Sequence, residues 1–136
     1  MDETLKALNE CYRHELTMIA RYLNCSVLVP GLERFHLADF FKKSATDSIG
    51  HAEKVGAKIV ALGGAPQGKV TEDLAAVPAD AEGMLKQALK DEETAVSLYD
   101  AAVPLAKKDL ALRELLVHLL KEEQASVDEI RLLLKK

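Results

Sequence analysis

Hydrophobic residues recur at alternating gaps of three and four in four long stretches of the chain, which is typical of amphipathic helices that face a common core. The pattern predicts helices over residues 3–29, 33–62, 80–107 and 109–135. Pro30-Gly31 and Gly63-Gly64 end the first two helices, because Pro cannot continue the hydrogen-bond ladder and Gly allows a tight reversal. Asp80 is placed to cap the third helix, and Pro104 to kink or end it.

Each predicted helix has one stripe of residues that faces the interior of a bundle. In the first two helices the predicted inward positions are Leu5, Leu8, Tyr12, Glu15, Ile19, Tyr22, Ser26 and Val29, then Leu37, Phe41, Ser44, Ser48, His51, Val55, Ile59 and Leu62. In the last two helices they are Leu85, Leu89, Glu92, Val96, Tyr99 and Val103, then Leu112, Leu116, Leu119, Glu123, Ser126, Ile130 and Leu133.

The connection between the second and third helices is unusually long. It covers roughly fifteen residues between Gly63 and Pro78 without a sustained hydrophobic period, whereas adjacent antiparallel helices need only a few. One long connection flanked by two short ones favours a bundle with a single crossover. The sequence therefore predicts an all-α fold, an antiparallel four-helix bundle with one long crossover, formed by a single domain over residues 1–136.

Four polar residues interrupt the inward stripes near the middle of the helices. Glu15, His51, Glu92 and Glu123 each lie on a different helix and at about half its length, so they should come level in an antiparallel bundle. Three carboxylates close together in a core repel one another strongly, and a divalent cation is the simplest way to neutralise them. Carboxylates with one imidazole suit iron, manganese or zinc. The sequence thus predicts a metal site at these four residues, or the remains of one.

A hydrogen-bonded core without metal is the alternative interpretation of the same residues. A buried Glu can be satisfied by a tyrosine hydroxyl, and two tyrosines lie on the inward stripes. Glu15 and Tyr22 are seven residues apart on the first helix, as Glu92 and Tyr99 are on the third. The two helical hairpins therefore look like diverged copies of one unit.

Composition and charge narrow the function classes. The formal net charge is −4 and the calculated pI is about 5.6, which argues against non-specific nucleic-acid binding. We find no signal-peptide pattern and no apolar run long enough to span a membrane, and so expect a cytoplasmic protein. Cys11 and Cys25 would lie about 21 Å apart along one helix, too far to form a disulfide, and are expected to stay reduced.

Several segments spread over nearly the whole chain carry a family resemblance: Leu8-Asn9, His14-Glu15-Leu16, Tyr22, His51-Ala52-Glu53, Leu62-Gly63-Gly64-Ala65-Pro66, Met84-Leu85, Glu92 and Leu120-Lys121-Glu122-Glu123. They resemble the ferritin-like superfamily, and bacterioferritin most closely. The resemblance implies a di-iron site built from one Glu on the first helix, Glu-x-x-His on the second, one Glu on the third and Glu-x-x-His on the fourth.

Four positions match that pattern and two depart from it. Glu15, His51, Glu92 and Glu123 stand at ligand positions. Ser48 replaces the bridging glutamate of the second helix, and Ser126 replaces the histidine of the fourth. The neighbouring acids Asp47 and Glu122 are rotated about 100° off the required face, and we do not expect them to replace the lost ligands.

The resemblance also implies what to expect around the site. Ile49 stands where bacterioferritin has its haem-binding methionine, so no haem is expected. We expect metal ions as ligands and a homo-oligomer, with a dimer more plausible than a large cage.

Three functions remain open at this point. The first is a bacterioferritin-like protein that binds, oxidises or stores iron at a weakened or single-metal site, and would be a ferroxidase if active. The second is a metal-free structural or interaction bundle that keeps the fold without ferroxidase activity. The third is a rubrerythrin-type oxidase without the cysteine-rich rubredoxin module, since two distant cysteines cannot form such a centre.

Overall fold

A computed structural model describes residues 2–68 and 77–136 of the chain. Its long helices are α1 (Asp2–Leu28), α2 (Arg34–Ala61), α3 (Ala81–Ala102) and α4 (Leu110–Leu134). No strand is present in the described residues. The predicted all-α fold is therefore confirmed.

The helix ends follow the chemistry of the residues that flank them. Gly31 and Gly63 have φ values of 77° and 89°, a left-handed conformation that suits Gly at a chain reversal. Asp80 accepts a hydrogen bond from the Gly83 backbone N–H at 2.8 Å, and Asp109 caps α4 in the same way. At Pro104 the helix tightens into a 3₁₀ turn over Val103–Ala106, so α3 ends before the predicted residue 107.

The helix directions establish the topology. Thr4 donates to the Leu105 carbonyl at one end of the bundle, and Arg21 contacts Asp91 further along, so α1 and α3 are antiparallel. The short hairpin makes α1 and α2 antiparallel as well. Consequently α2 and α3 run in the same direction, and the chain between Ala61 and Ala81 connects opposite ends of the bundle. The predicted single crossover is confirmed, although residues 69–76 of it lie outside the described residues.

The first part of the crossover is tied to α1. The Asn9 side chain accepts from the Gln67 backbone N–H at 2.9 Å and donates to the Ala65 carbonyl at 3.4 Å. Arg13 donates to the Gln67 side-chain oxygen at 2.7 Å. These bonds satisfy loop backbone groups that have no helical partner.

The inward stripe of α1 differs from the prediction at every second position. Leu8, Glu15, Tyr22 and Val29 are buried as predicted, but Tyr12, Ile19 and Ser26 are only half-buried. The other buried residues of α1 are Asn9, Cys11, Thr17, Met18 and Cys25. The reason is that α1 packs against α3 as well as α2, and this second contact draws its buried face toward α3.

Smaller differences occur on the other helices. Ser44, Leu62, Leu89, Val96, Val103 and Ser126 are half-buried rather than buried. Leu133, predicted to face inward, is 41% exposed at the end of α4. The next residue, Leu134, is half-buried and packs against the core instead.

A buried ion pair joins α1 to α3. Arg21 Nη1 lies 2.6 Å from Asp91 Oδ1, and Gln87 donates to the same oxygen at 3.0 Å. The Asp91 backbone carbonyl lies 2.7 Å from His14 Nε2. Both charged side chains are nearly covered, at 11% and 8% exposure. The sequence did not indicate this contact, because Asp91 adjoins the predicted inward position Glu92.

Cys11 and Cys25 are both buried free thiols. Within the described ranges, none of the helices combines the length and apolar character that crossing a membrane requires.

Replacing Asp91 with Ala should destabilise the protein by about 3–5 kcal/mol, because it leaves the Arg21 charge in a covered site without this carboxylate. The exposed Asp100 on the same helix provides a matched control, and Asp100→Ala should change stability by less than about 0.5 kcal/mol. Urea unfolding of both variants measures the difference. If both variants lost the same free energy of unfolding, the buried ion pair would contribute no more to stability than a charge on the surface.

Candidate metal centre

Three of the four predicted ligands meet in the middle of the bundle. His51 Nδ1 lies 2.5 Å from Glu123 Oε1 and 3.5 Å from Glu15 Oε2. One ligand atom from each of these residues lies within 4.8 Å of the other two. All three side chains are buried, the two glutamates almost completely. They come from α1, α2 and α4, so the site depends on the packing of three separate helices.

Glu92 lies beside this group rather than within it. It interacts with Glu123 on α4 and is 3% exposed. Burial, followed by the neighbouring Glu123 carboxylate, raises the pKa of Glu92 to about 10, while the Ser126 and Tyr22 hydroxyls act in the opposite direction. Glu92 therefore carries a proton at neutral pH in the metal-free protein, which relieves its repulsion with Glu123.

Each of the two buried tyrosines lies beside one of the glutamates. Tyr99 of α3 donates a hydrogen bond to Glu15 Oε2 of α1 at 2.6 Å. Tyr22 of α1 lies beside Glu92 of α3, but its hydroxyl makes no hydrogen bond there. Burial and the nearby carboxylates raise the pKa of each tyrosine well above its ordinary value, so both stay protonated donors. The tyrosine of each helix therefore lies beside the glutamate of the other helix, not beside the glutamate seven residues away on its own helix.

His51 carries the positive charge of the metal-free site. Burial alone would lower its pKa, but the Glu123 and Glu15 carboxylates outweigh that effect and raise it to about 10. Burial and Glu15 raise the pKa of Glu123, whereas His51 and Glu92 lower it. An imidazolium between two carboxylates is therefore the state expected at neutral pH when no cation is bound.

Several buried polar atoms at this place have no hydrogen-bond partner. They are Glu15 Oε1, His51 Nδ1, Glu92 Oε1 and Glu123 Oε1. His51 Nδ1 and Glu123 Oε1 lie 2.5 Å apart and attract each other by charge, but they do not form a hydrogen bond. Unpartnered buried polar atoms are costly, and a shared cation would satisfy them. Two carboxylates and one imidazole are suitable donors for iron, manganese or zinc. The residues present therefore fit a metal ion.

The two serines lie where the sequence placed them. Ser48 is buried on α2, and Ser126 is half-buried on α4 near Glu92. A groove between α2 and α4 is lined by Ser126 and has His51 in its wall; the other lining residues include Ser44, Asp47, Glu122 and Glu129. Ser48 lies deeper than this groove and does not line it.

The acidic neighbours Asp47 and Glu122 behave differently from each other. Asp47 turns away and pairs with Lys43 at 3.0 Å on the surface. Glu122 lies outside the core, but its Oε1 reaches to 3.4 Å from His51 Nε2, the nitrogen opposite the cluster. The same oxygen lies 2.9 Å from His118 Nε2. The sequence does not indicate that Glu122 reaches His51, although its i,i+4 spacing from His118 favours the contact between those two residues.

Comparison with known proteins gives the family. The ferritin-like domain profile matches residues 5–136, which is nearly the entire chain. The chain belongs to the ferritin-like family. A search of curated proteins found no match.

Two solved structures illustrate the similarity. A ferritin-like, diiron-carboxylate protein from Bacillus anthracis str. Ames is 29% identical, with 98% of this chain and 96% of that chain covered and a TM-score of 0.87. Rhodobacter capsulatus bacterioferritin, solved with a metal-free dinuclear site and haem iron, is 24% identical over 98% of this chain and 84% of that chain, also with a TM-score of 0.87. The second similarity concerns the fold alone. The predicted resemblance to the ferritin-like superfamily is confirmed.

The metal-free protein should become less stable as pH rises from about 5 to about 10. Glu92 and His51 bind protons more tightly when folded, with pKa values near 10 for both against ordinary values of 4.5 and 6.5. Their contribution to the free energy of unfolding is therefore full below those ordinary values and is lost as pH approaches 10.

The Glu92→Gln variant mimics the protonated acid. Its free energy of unfolding should fall less between pH 5 and pH 10 than that of the unsubstituted protein, by at least about 1 kcal/mol, which is near the equivalent of one pKa unit. Chemical unfolding of chelator-treated protein across the pH range measures it, with the exposed Glu93→Gln as control. Identical slopes for Glu92→Gln and the unsubstituted protein would contradict the assignment of the proton to Glu92.

Proposed function

We propose that this protein handles iron through one buried metal position formed by Glu15, His51 and Glu123. The observation that carries the proposal is the convergence of these three side chains with buried atoms that lack hydrogen-bond partners. Membership of the ferritin-like family and similarity to a diiron-carboxylate protein support iron as the ion, with manganese and zinc as other candidates.

A second metal position beside Glu92 would be much weaker. It would have Glu92 and a shared Glu123, but Ser126 offers no imidazole and Ser48 offers no bridging carboxylate. A bound iron would supply the redox chemistry; the chain supplies carboxylates, one imidazole and the Tyr99 hydroxyl that orients Glu15. We therefore propose iron binding with poor ferroxidase activity.

A metal-free structural role is the second candidate, and one observation favours it. His51, with its pKa raised to about 10, can itself serve as the cation between Glu15 and Glu123. Tyr99 then satisfies Glu15, and the proton on Glu92 removes its charge. In this arrangement the site would be a stable core without metal.

The remaining expectations also belong to the proposal. Haem binding is not expected, because the aliphatic side chain of Ile49 offers no axial ligand. A homo-oligomer, with a dimer as the first candidate, agrees with the apolar groove between α1 and α2 that Ile19, Ile49 and Val60 line. The cytoplasm, where the free Cys11 and Cys25 would stay reduced, is the expected compartment.

Replacing Glu123 with Gln separates the two functions. Ferrous or manganous ions at about a hundred times their dissociation constant should stabilise the unsubstituted protein by about 2.7 kcal/mol, and this gain should vanish in the variant, which lacks the central carboxylate. Thermal unfolding with metal and with chelator, under anaerobic conditions for iron, measures the gain. The exposed Glu93→Gln should keep it. If metal stabilises neither protein, the metal-free role is correct.

Replacing Ser48 and Ser126 with the Glu and His of the family pattern should create a second strong metal-binding position. The double variant Ser48→Glu/Ser126→His should bind two ions per chain and oxidise iron with oxygen at least about tenfold faster. The additional side-chain volume should cost about 1–3 kcal/mol of stability without metal. Ser48→Glu/Ala125→His is the control, since Ala125 is exposed and turned off the required face. Equal activity of the two double variants would contradict the proposed weak position.

A further inference from the structure

Asp91 of α3 contacts two residues of α1 that lie seven positions apart. Its backbone carbonyl accepts a hydrogen bond from His14 Nε2 at 2.7 Å. Its carboxylate oxygen Oδ1 lies 2.6 Å from Arg21 Nη1, and Gln87 of α3 donates to the same oxygen at 3.0 Å. A carbonyl oxygen has two lone pairs, so Asp91 can accept from His14 and remain in the hydrogen-bond ladder of its own helix.

The two acceptor groups of Asp91 point in opposite directions along the bundle axis. In an α-helix the carbonyl groups point toward the C-terminus, whereas the Cα–Cβ bonds are tilted toward the N-terminus. Because α1 is antiparallel to α3, the carbonyl of Asp91 faces the His14 end of α1 and its carboxylate faces the Arg21 end. Sliding α1 along α3 in either direction would therefore stretch one of the two contacts.

One of these contacts lies next to a residue of the candidate metal centre. His14 directly precedes Glu15 on α1. Glu15 Oε2 lies 3.5 Å from His51 Nδ1, which is 2.5 Å from Glu123 Oε1. Helix α1 packs against α2 and α3, so the position of Glu15 along the bundle axis is set through these neighbours. The contact with Asp91 is thus placed to determine how Glu15 meets the ligands of the other helices.

We propose that His14 is a positioning residue for the metal site. Its hydrogen bond to Asp91, together with the Arg21 ion pair, fixes α1 against α3 and thereby holds Glu15 level with the other two ligands. The proposal rests on the proposed function, because it concerns the placement of one of the three ligands. Binding sites need their groups within about 0.5 Å of the productive geometry, and a slip of α1 by a single residue would be about 1.5 Å.

An effect on the position of Glu15 must be distinguished from an effect on stability. Loss of one hydrogen bond at the half-buried His14 should lower the midpoint of thermal unfolding by about 3–6 °C. Asp109→Ala removes the side chain that caps α4 and should lower the midpoint by a similar amount. The cap lies at the start of α4, fourteen residues before Glu123, so this variant is a matched control for stability.

The first measurement is Co²⁺ binding to chelator-treated protein by competition with a chromophoric chelator. We expect His14→Leu to weaken binding about tenfold, the lower end of the range for residues that support metal ligands. His14→Gln, whose side-chain amide can still donate to the Asp91 carbonyl, should recover most of the affinity. Asp109→Ala should change the affinity less than about twofold, because the cap is distant from the site. Equal losses of affinity in His14→Leu and Asp109→Ala, or no loss in His14→Leu, would overturn the proposal.

A second measurement does not need metal. The Tyr99 hydroxyl donates to Glu15 Oε2 at 2.6 Å in the core, so its proton should give a slowly exchanging downfield NMR signal that Tyr99→Phe removes. The signal should shift in His14→Leu, return toward its original place in His14→Gln and stay in place in Asp109→Ala. If Co²⁺ does not bind to the unsubstituted protein, the proposed function fails and this signal alone decides whether His14 positions Glu15. A signal that is unchanged in His14→Leu overturns the positioning role.

Discussion

The burial of three carboxylates at one level of a four-helix bundle is the constraint on which the rest of the structure depends. Glu15, Glu92 and Glu123 are each no more than 3% exposed, and uncompensated charges there would outweigh a large part of the stability of such a domain. Each therefore needs a proton, a donor or a cation. The neighbouring polar residues supply these protons, hydrogen-bond donors and positive charges.

The polar residues that compensate the buried carboxylates lie on two sides of Glu123. On one side His51 and Glu15 approach it, and Tyr99 donates to Glu15. On the other side Glu92 holds a proton beside Tyr22 and Ser126. The first side keeps the second-helix histidine of the family pattern, whereas the second side has Ser126 where that pattern has its other histidine. This asymmetry favours the proposal of one metal position over two.

Much of this could be predicted from the sequence, because periodicity and helix midpoints determine which residues share a level. Glu15, His51 and Glu123 follow from that argument alone. What it missed depends on helix rotation and side-chain reach. Cys11 and Cys25 lie near Tyr99 and Asp91 of α3. The stripe of α1 could not indicate this, since apolar residues flank it on both sides. Glu122 is off the inward face, yet it reaches His51 because the ring crosses between two helices.

The central claim is tested most directly by an anaerobic titration of chelator-treated protein with ferrous iron, followed by elemental analysis per chain. The account predicts one tightly bound ion per chain. Two ions of equal affinity would show that Ser48 and Ser126 are compensated and that the site is a full dinuclear centre. No bound ion would contradict the account and leave a bundle in which His51, Tyr99 and a proton on Glu92 neutralise the buried carboxylates by themselves.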